Sequence, residues 1–234
     1  MEWIHDFGLF LFDLDGLLVD TESLHYQAYV NLCRKRGFHL DWSFVEFCAI
    51  AHSSSEGLKE EIYAKFPSLY EKEPNWNVLY EEKKKEYLSL LQNKKIPLMP
   101  GAHALLEKLQ EENIPRCVVT NSLKEQTDFL KAKVPLLQTI PHWITRESYE
   151  AAKPHPECYL KAIQLFSQNK PVIGFEDSLR GLKALLQTKA TPVLVSEKDP
   201  SYFSAKLEGS WFHFPHLSEI PSQMNFLKVH NKSS

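Results

Sequence analysis

Leu9-Phe10-Leu11-Phe12-Asp13-Leu14-Asp15-Gly16 decides how this chain folds. Four apolar residues read as a short buried strand, and the run stops abruptly on two carboxylates and a glycine. Strands buried in parallel sheets gain no stability from such an ending. Buried carboxylates cost several kcal/mol, roughly, unless a cation or hydrogen bonds offset the loss of water. Negative charge concentrated at a strand end, followed by a residue without a Cβ, is read as a Mg²⁺ site beside a nucleophile.

Working outward, three further apolar, β-rich runs follow: Arg116–Thr120, Val172–Phe175 and Pro192–Val195. Ile140–Ile144 and Trp211–Phe214 are weaker candidates. Helical patterns cover Ala102–Gln110, Lys124–Ala132, Glu157–Phe166 and Leu179–Leu186. Strands alternating with helices argue for βαβ units and right-handed crossovers. The expected fold class is α/β, a Rossmann-like three-layer core with a mostly parallel sheet plus an inserted all-α domain. The insertion follows from spacing: roughly 100 residues separate Asp15 from Thr120, where ordinary loops run roughly 2–6. Within that gap the patterns read as helices over Leu24–Lys35, Ser43–Ala49, Ser55–Ala64 and Val78–Leu91. The expected division is residues 1–20 and 95–234 as core and 21–94 as insert, with hinges near Asp20-Thr21 and Lys94–Pro97. Aromatics recurring through the insert (Tyr26, Tyr29, Trp42, Phe44, Phe47, Tyr63, Tyr80, Tyr87) are read as bundle core, and Lys83-Lys84-Lys85 as a solvated face.

Composition excludes several partners. The chain has 234 residues, 43% hydrophobic and 24% charged, with a net charge of −3 when histidines are neutral. That balance gives no electrostatic case for nucleic acid or an anionic membrane. No apolar run approaches the ~20 residues of a membrane span, and the N-terminus does not resemble a signal peptide. Cys33, Cys48, Cys117 and Cys158 are scattered without zinc spacing, which fits a reducing compartment. The expectations are a cytoplasmic location, a monomer and a small-molecule partner. Asn231-Lys232-Ser233 is then a glycosylation sequon by accident.

Each later segment supplies something the Asp13–Asp15 site lacks. Thr120-Asn121-Ser122 ends a strand where hydroxyls and backbone N–H groups can bind phosphate oxygens. Lys153-Pro154 offers a cation to neutralise a phosphoryl group and the nucleophile together. Glu176-Asp177-Ser178 adds two carboxylates that complete an oxygen-rich cage for a hard cation. All of these lie at carboxyl ends of strands, where open α/β sheets bind ligands.

Together these segments resemble the four motifs of haloacid dehalogenase-like hydrolases, in the branch close to β-phosphoglucomutase. Asp13-Leu14-Asp15-Gly16-Leu17-Leu18-Val19-Asp20-Thr21-Glu22 is similar to the first motif. Thr120-Asn121-Ser122 is similar to the second, Lys153-Pro154 to the third, and Gly174-Phe175-Glu176-Asp177-Ser178 with Gly181 to the fourth. The resemblance spans the core and implies a helical cap for the insert. It implies that Asp13 attacks phosphorus and forms an aspartyl-phosphate. Asp15 then protonates the leaving alcohol and later deprotonates the hydrolytic water. Mg²⁺ is expected on Asp13, Glu176, Asp177 and the Asp15 carbonyl, with Thr120 and Lys153 stabilising transition-state charge. Gly16, Asn121 and Ser122 are expected at the substrate. So is His25, which falls where relatives near β-phosphoglucomutase have a histidine beside the acid/base; the alternative is a packed helical histidine.

The chain also departs from that pattern. Ile50-Ala51-His52-Ser53-Ser54-Ser55-Glu56 stands where phosphosugar mutases have a glycine and basic groups that grip a second phosphate. Ala152 replaces a glycine before the lysine, and Gln187-Thr188-Lys189-Ala190 replaces an alanine- and glycine-rich turn. The expected activity is a Mg²⁺-dependent phosphomonoesterase on a small phosphorylated metabolite, with His52–Glu56 setting specificity. A phosphosugar mutase is the alternative. A catalytically silent binding module comes third, since its expected sign, loss of Asp13, Asp15, Lys153 or Asp177, is absent.

Overall fold

Alternation along Leu9–Phe12 (β1) sends Leu9 and Leu11 to one face of a sheet and Phe10 and Phe12 to the other. The computed structural model describes residues 1–51, 56–198 and 207–226. In it β1 is central to a six-stranded parallel sheet with β2 (Arg116–Val119), β3 (His142–Ile144), β4 (Val172–Glu176), β5 (Thr191–Val195) and β6 (Phe212–Phe214). The order is β3-β2-β1-β4-β5-β6, and every adjacent pair is parallel. The chain builds outward from β1 through β2 to β3, then crosses back to β4. That reversal leaves a crevice outside the carboxyl ends of β1 and β4.

The expected α/β class is therefore met, and both weaker strands form. β3 starts only at His142, because Pro135–Thr139 closes as a 3-10 turn and the Ile140 N–H is spent on Leu137 O. A 3-10 turn at Glu2–Asp6 precedes β1 and was not expected. Its Trp3 packs against Phe10, Phe175 and Phe226 on the aromatic face of the sheet.

The chain divides into two compact units, Thr21–Ile96 and Met1–Asp20 with Pro97–Ser234. The first contains α1 (Glu22–Lys35), α2 (Phe44–Ala51), α3 (Gly57–Lys65), α4 (Pro67–Lys72) and α5 (Trp76–Asn93). Its core gathers Tyr29, Leu32, Cys33, Phe47, Ile62 and Leu79, so most of the aromatic stripe is bundle packing. Phe44 and Tyr80 are the exceptions and stay exposed. Lys83 corrects the reading of a solvated lysine face. It is buried beside the Tyr29, Tyr80 and Tyr87 rings, while Lys85 stays exposed. Position 83 shares the inward stripe of α5 with Leu79 and Tyr87, four residues away on either side.

The second unit adds α6 (Ala102–Glu111), α7 (Lys124–Lys133), α8 (Glu157–Phe166) and α9 (Leu179–Leu186). α8 packs on β1 and β2, and α9 on β4 and β5. The two ends of the chain around the helical unit meet within this core. Val19 pairs with Leu98, the Met99 N–H donates to Leu18 O at 3.0 Å, and the Asp20 N–H donates to Pro97 O at 3.0 Å. Among the described residues no helix is long and apolar enough to cross a membrane. Cys33, Cys48, Cys117 and Cys158 are all buried free thiols.

Candidate active site

β1 ends one residue before Asp13, whose N–H still donates to Phe175 O at 3.1 Å. That bond extends the ladder just past the strand and turns the Asp13 carboxyl toward the crevice beside β4. Three residues on, Gly16 adopts φ +84°, a conformation that favours glycine. The Gly16 N–H closes the turn on Val19 O at 2.9 Å. Gly16 therefore contributes the turn that exposes Asp15.

Three of the expected residues meet in one buried cluster. Lys153 Nζ lies 2.6 Å from Asp13 Oδ1, 2.6 Å from Glu176 Oε1 and 2.8 Å from Val119 O. An ammonium has three hydrogens, and here all three have acceptors. Burial works against its charge, but the carboxylates of Asp13 and Glu176 outweigh it and hold Lys153 well above the usual lysine range. Asp13 is the complementary case. Burial is the largest influence on it and, with Glu176 and Asp15 nearby, pushes it up to about 7 against the opposing pull of Lys153. The lysine is secured while the aspartate remains undercompensated.

That imbalance bears on the metal. Asp13, Glu176 and Asp177 each bring one carboxylate oxygen, and these atoms lie within 4.8 Å of one another. Hard carboxylate oxygens with surplus negative charge suit a hard divalent cation such as Mg²⁺, so the residues fit one. The Asp15 carboxylate is not among these three; its Oδ2 accepts the Ser122 hydroxyl at 2.6 Å.

Ser122 belongs to the loop after β2, ordered from within. Thr120 is buried, and its Oγ1 accepts the Ser122 N–H at 3.0 Å. Asn121 Oδ1 accepts the Lys153 N–H at 3.3 Å. His25 lies in the Thr21–Ile96 unit, stacked on Tyr87 at 4.0 Å with its Nδ1 2.6 Å from Lys83 Nζ. The expected specificity segment includes His52–Ser55, which lie outside the described residues.

Two tyrosines that sequence reasoning overlooked support the cluster. The Tyr149 hydroxyl lies 2.8 Å from Thr120 O and 2.7 Å from Asn121 Oδ1, sharing its hydrogen between them. The Tyr159 hydroxyl donates to Glu176 Oε1. Neither carries a sequence signal beyond its spacing, since Tyr159 sits on the apolar face of α8 and reads as core. Gly181 has a steric reason for its identity: a Cβ there would run into the Glu176 carboxylate. Its N–H instead caps α9 on Ser178 Oγ at 3.2 Å.

With this geometry in view, three comparisons are informative. The family model described as haloacid dehalogenase-like hydrolase matches residues 10–195. The CbbY protein of Rhodobacter capsulatus is 24% identical over 178 residues, covering 74% of this chain and 78% of that protein. (DL)-glycerol-3-phosphatase 2 of Arabidopsis thaliana is 25% identical over 203 residues, covering 80% and 78%. Among solved structures, a HAD hydrolase of family IA, variant 3, from Entamoeba histolytica superposes with a TM-score of 0.73 at 26% identity, covering 92% of this chain and 95% of that one.

Proposed function

The chain belongs to the haloacid dehalogenase-like hydrolases, and from that premise we propose that it is a phosphatase hydrolysing the phosphomonoester of a small phosphorylated metabolite. The observation that carries the reading is the buried contact between Lys153 Nζ and Asp13 Oδ1 at 2.6 Å. A carboxylate is a weak nucleophile, and a fixed ammonium beside it masks charge on an incoming phosphoryl group. The relation to a glycerol-3-phosphatase supports the same substrate class.

In this mechanism an Asp13 carboxylate oxygen forms a bond to phosphorus as the ester P–O bond breaks, and the leaving alkoxide takes a proton from Asp15. The Ser122 hydroxyl donates to Asp15 Oδ2 and so orients the carboxyl that supplies that proton. A water then gives a proton to Asp15 and attacks phosphorus, the bond to Asp13 breaks, and inorganic phosphate leaves. Because the three hydrogens of Lys153 are already engaged, a phosphoryl oxygen takes up one of them by replacing an acceptor, Asp13 Oδ1 being the one that changes role. Mg²⁺ held by Asp13, Glu176 and Asp177 would neutralise phosphoryl charge when bound.

The unit Thr21–Ile96 selects the substrate in this reading, through His25 and His52–Glu56. The enzyme acts in the cytoplasm as a monomer. Phosphate release from a panel of phosphorylated metabolites, with Mg²⁺ or EDTA, tests the reading on wild type and Asp13→Asn. Mg²⁺-dependent release that the substitution abolishes is expected. Absence of release from every substrate by a folded protein overturns it and turns attention to phosphosugar isomerisation with a bisphosphate primer.

A further inference from the structure

We propose that Tyr159 is a positioning residue for Lys153, acting through Glu176; the inference rests on the phosphatase reading above. Tyr159 is 0% exposed, and its hydroxyl donates to Glu176 Oε1. The same oxygen accepts Lys153 Nζ, which also sits 4.8 Å from the Tyr159 ring centroid. One side chain therefore touches both members of the ion pair, the carboxylate through its oxygen and the ammonium through its ring face.

The packing role of α8 needs only the ring, and a phenylalanine would supply it without burying a hydroxyl. What the oxygen adds is direction. The terminal torsion of a glutamate is broad, so a carboxylate held by one donor can swivel. Glu176 has the Lys153 and Tyr159 donors on Oε1, Ser178 Oγ 3.5 Å from Oε2, and Gly181 closing the space behind. Removal of the phenol hydrogen frees Oε1 to turn, and the Lys153 hydrogen bonded to it turns as well. The ammonium then aims less accurately at charge that develops only as phosphorus is attacked. That loss falls on rate more than on substrate affinity.

Tyr149 steadies the other end of the same residue, because Asn121 Oδ1 lies between the Tyr149 hydroxyl and the Lys153 N–H. Backbone and tip of Lys153 are thus each one group away from a buried phenol.

Tyr159→Phe deletes one oxygen and keeps the ring. The expected result is a fall in kcat of about 10- to 100-fold, matching loss of one hydrogen bond to a charged group, with KM changed less than about threefold. Tyr159→Leu, lacking both ring and oxygen, loses at least as much. A second readout needs no turnover: urea unfolding in EDTA of Tyr159→Phe, Glu176→Gln and the double variant, where non-additive changes are expected. An unchanged kcat in Tyr159→Phe, with loss confined to Tyr159→Leu, reduces the residue to packing and overturns the proposal. Additive unfolding changes overturn it too. A wild type that releases no phosphate at all refutes the phosphatase reading instead, while the unfolding cycle still decides whether the hydroxyl acts on Glu176.

Discussion

Lys153 and Lys83 are both buried, at 2% and 4% exposure, and differ in how much aromatic surface surrounds them. Lys153 closes on Asp13, Glu176 and a backbone carbonyl, so full charges offset its lost hydration. Lys83 has its Nζ 5.0 Å from the Tyr87 ring centroid, 5.2 Å from Tyr29 and 6.0 Å from Tyr80, with His25 Nδ1 at 2.6 Å. There, ring faces and an imidazole lone pair meet the ammonium. As acceptor for Lys83, Nδ1 leaves the imidazole hydrogen on Nε2. The difference teaches that a buried ammonium can sit among carboxylates and a carbonyl, as in the sheet-bearing core, or be flanked by three aromatic faces, as in the helical unit.

Lys153→Met breaks the first arrangement and has the largest expected effect. It leaves Asp13 and Glu176 buried without their cation, which costs about 3 kcal/mol in urea unfolding. Phosphate release under saturating substrate falls about 10²- to 10³-fold or more.

A second test concerns the charge surplus around Asp13. With its carboxyl raised from 3.8 to about 7, the folded protein binds a proton that the unfolded chain releases. The stability from this group is complete below about pH 4 and is lost as pH rises through about 7. Mg²⁺ competes with that proton for the same carboxylate. Its stabilisation, read as the gain in Tm over EDTA, is therefore expected to grow from about pH 5.5 to about pH 8, by a few degrees. A gain that is flat with pH or shrinks toward pH 8 separates Asp13 from the cation.

Lys83→Met gives the smallest effect, about 1 kcal/mol by urea unfolding, because methionine keeps a long apolar stem against the three rings around it. A loss equal to that of Lys153→Met would erase the distinction between the two lysines.

The same two residues mark how far the sequence could be read. Lys153 was legible because it follows the third strand and stands with Asp13 and Glu176 at strand ends, so topology alone brings it to the crevice. The α/β alternation was legible for the same reason, since β1, β2, β4 and β5 are mostly apolar runs that are buried along their whole length. Lys83 was not, because in a run of three lysines nothing local distinguishes the one on the inner stripe of α5. α4 escaped notice because Pro67 reads as a break, yet proline is favoured in a first helical turn, where its missing N–H costs nothing. Tyr149 and Tyr159 escaped for a different reason. Tyr159 lies on a helix and Tyr149 in extended backbone after a 3-10 turn, and neither the spacing nor the turn carries information about what a buried hydroxyl will bond.

The pairing of Val19 with Leu98, and of Asp20 with Pro97, has a consequence for how this molecule can be remade. The chain departs from the sheet-bearing core and returns to it at adjoining points already tied by backbone hydrogen bonds. Residues 21–96 are therefore a cassette whose two ends form a ready-made splice. A short turn joining Asp20 to Pro97 would close the core with little loop entropy, and a different helical module could be grafted at the same seam. Selectivity and chemistry would then be exchangeable parts, inherited or engineered one at a time.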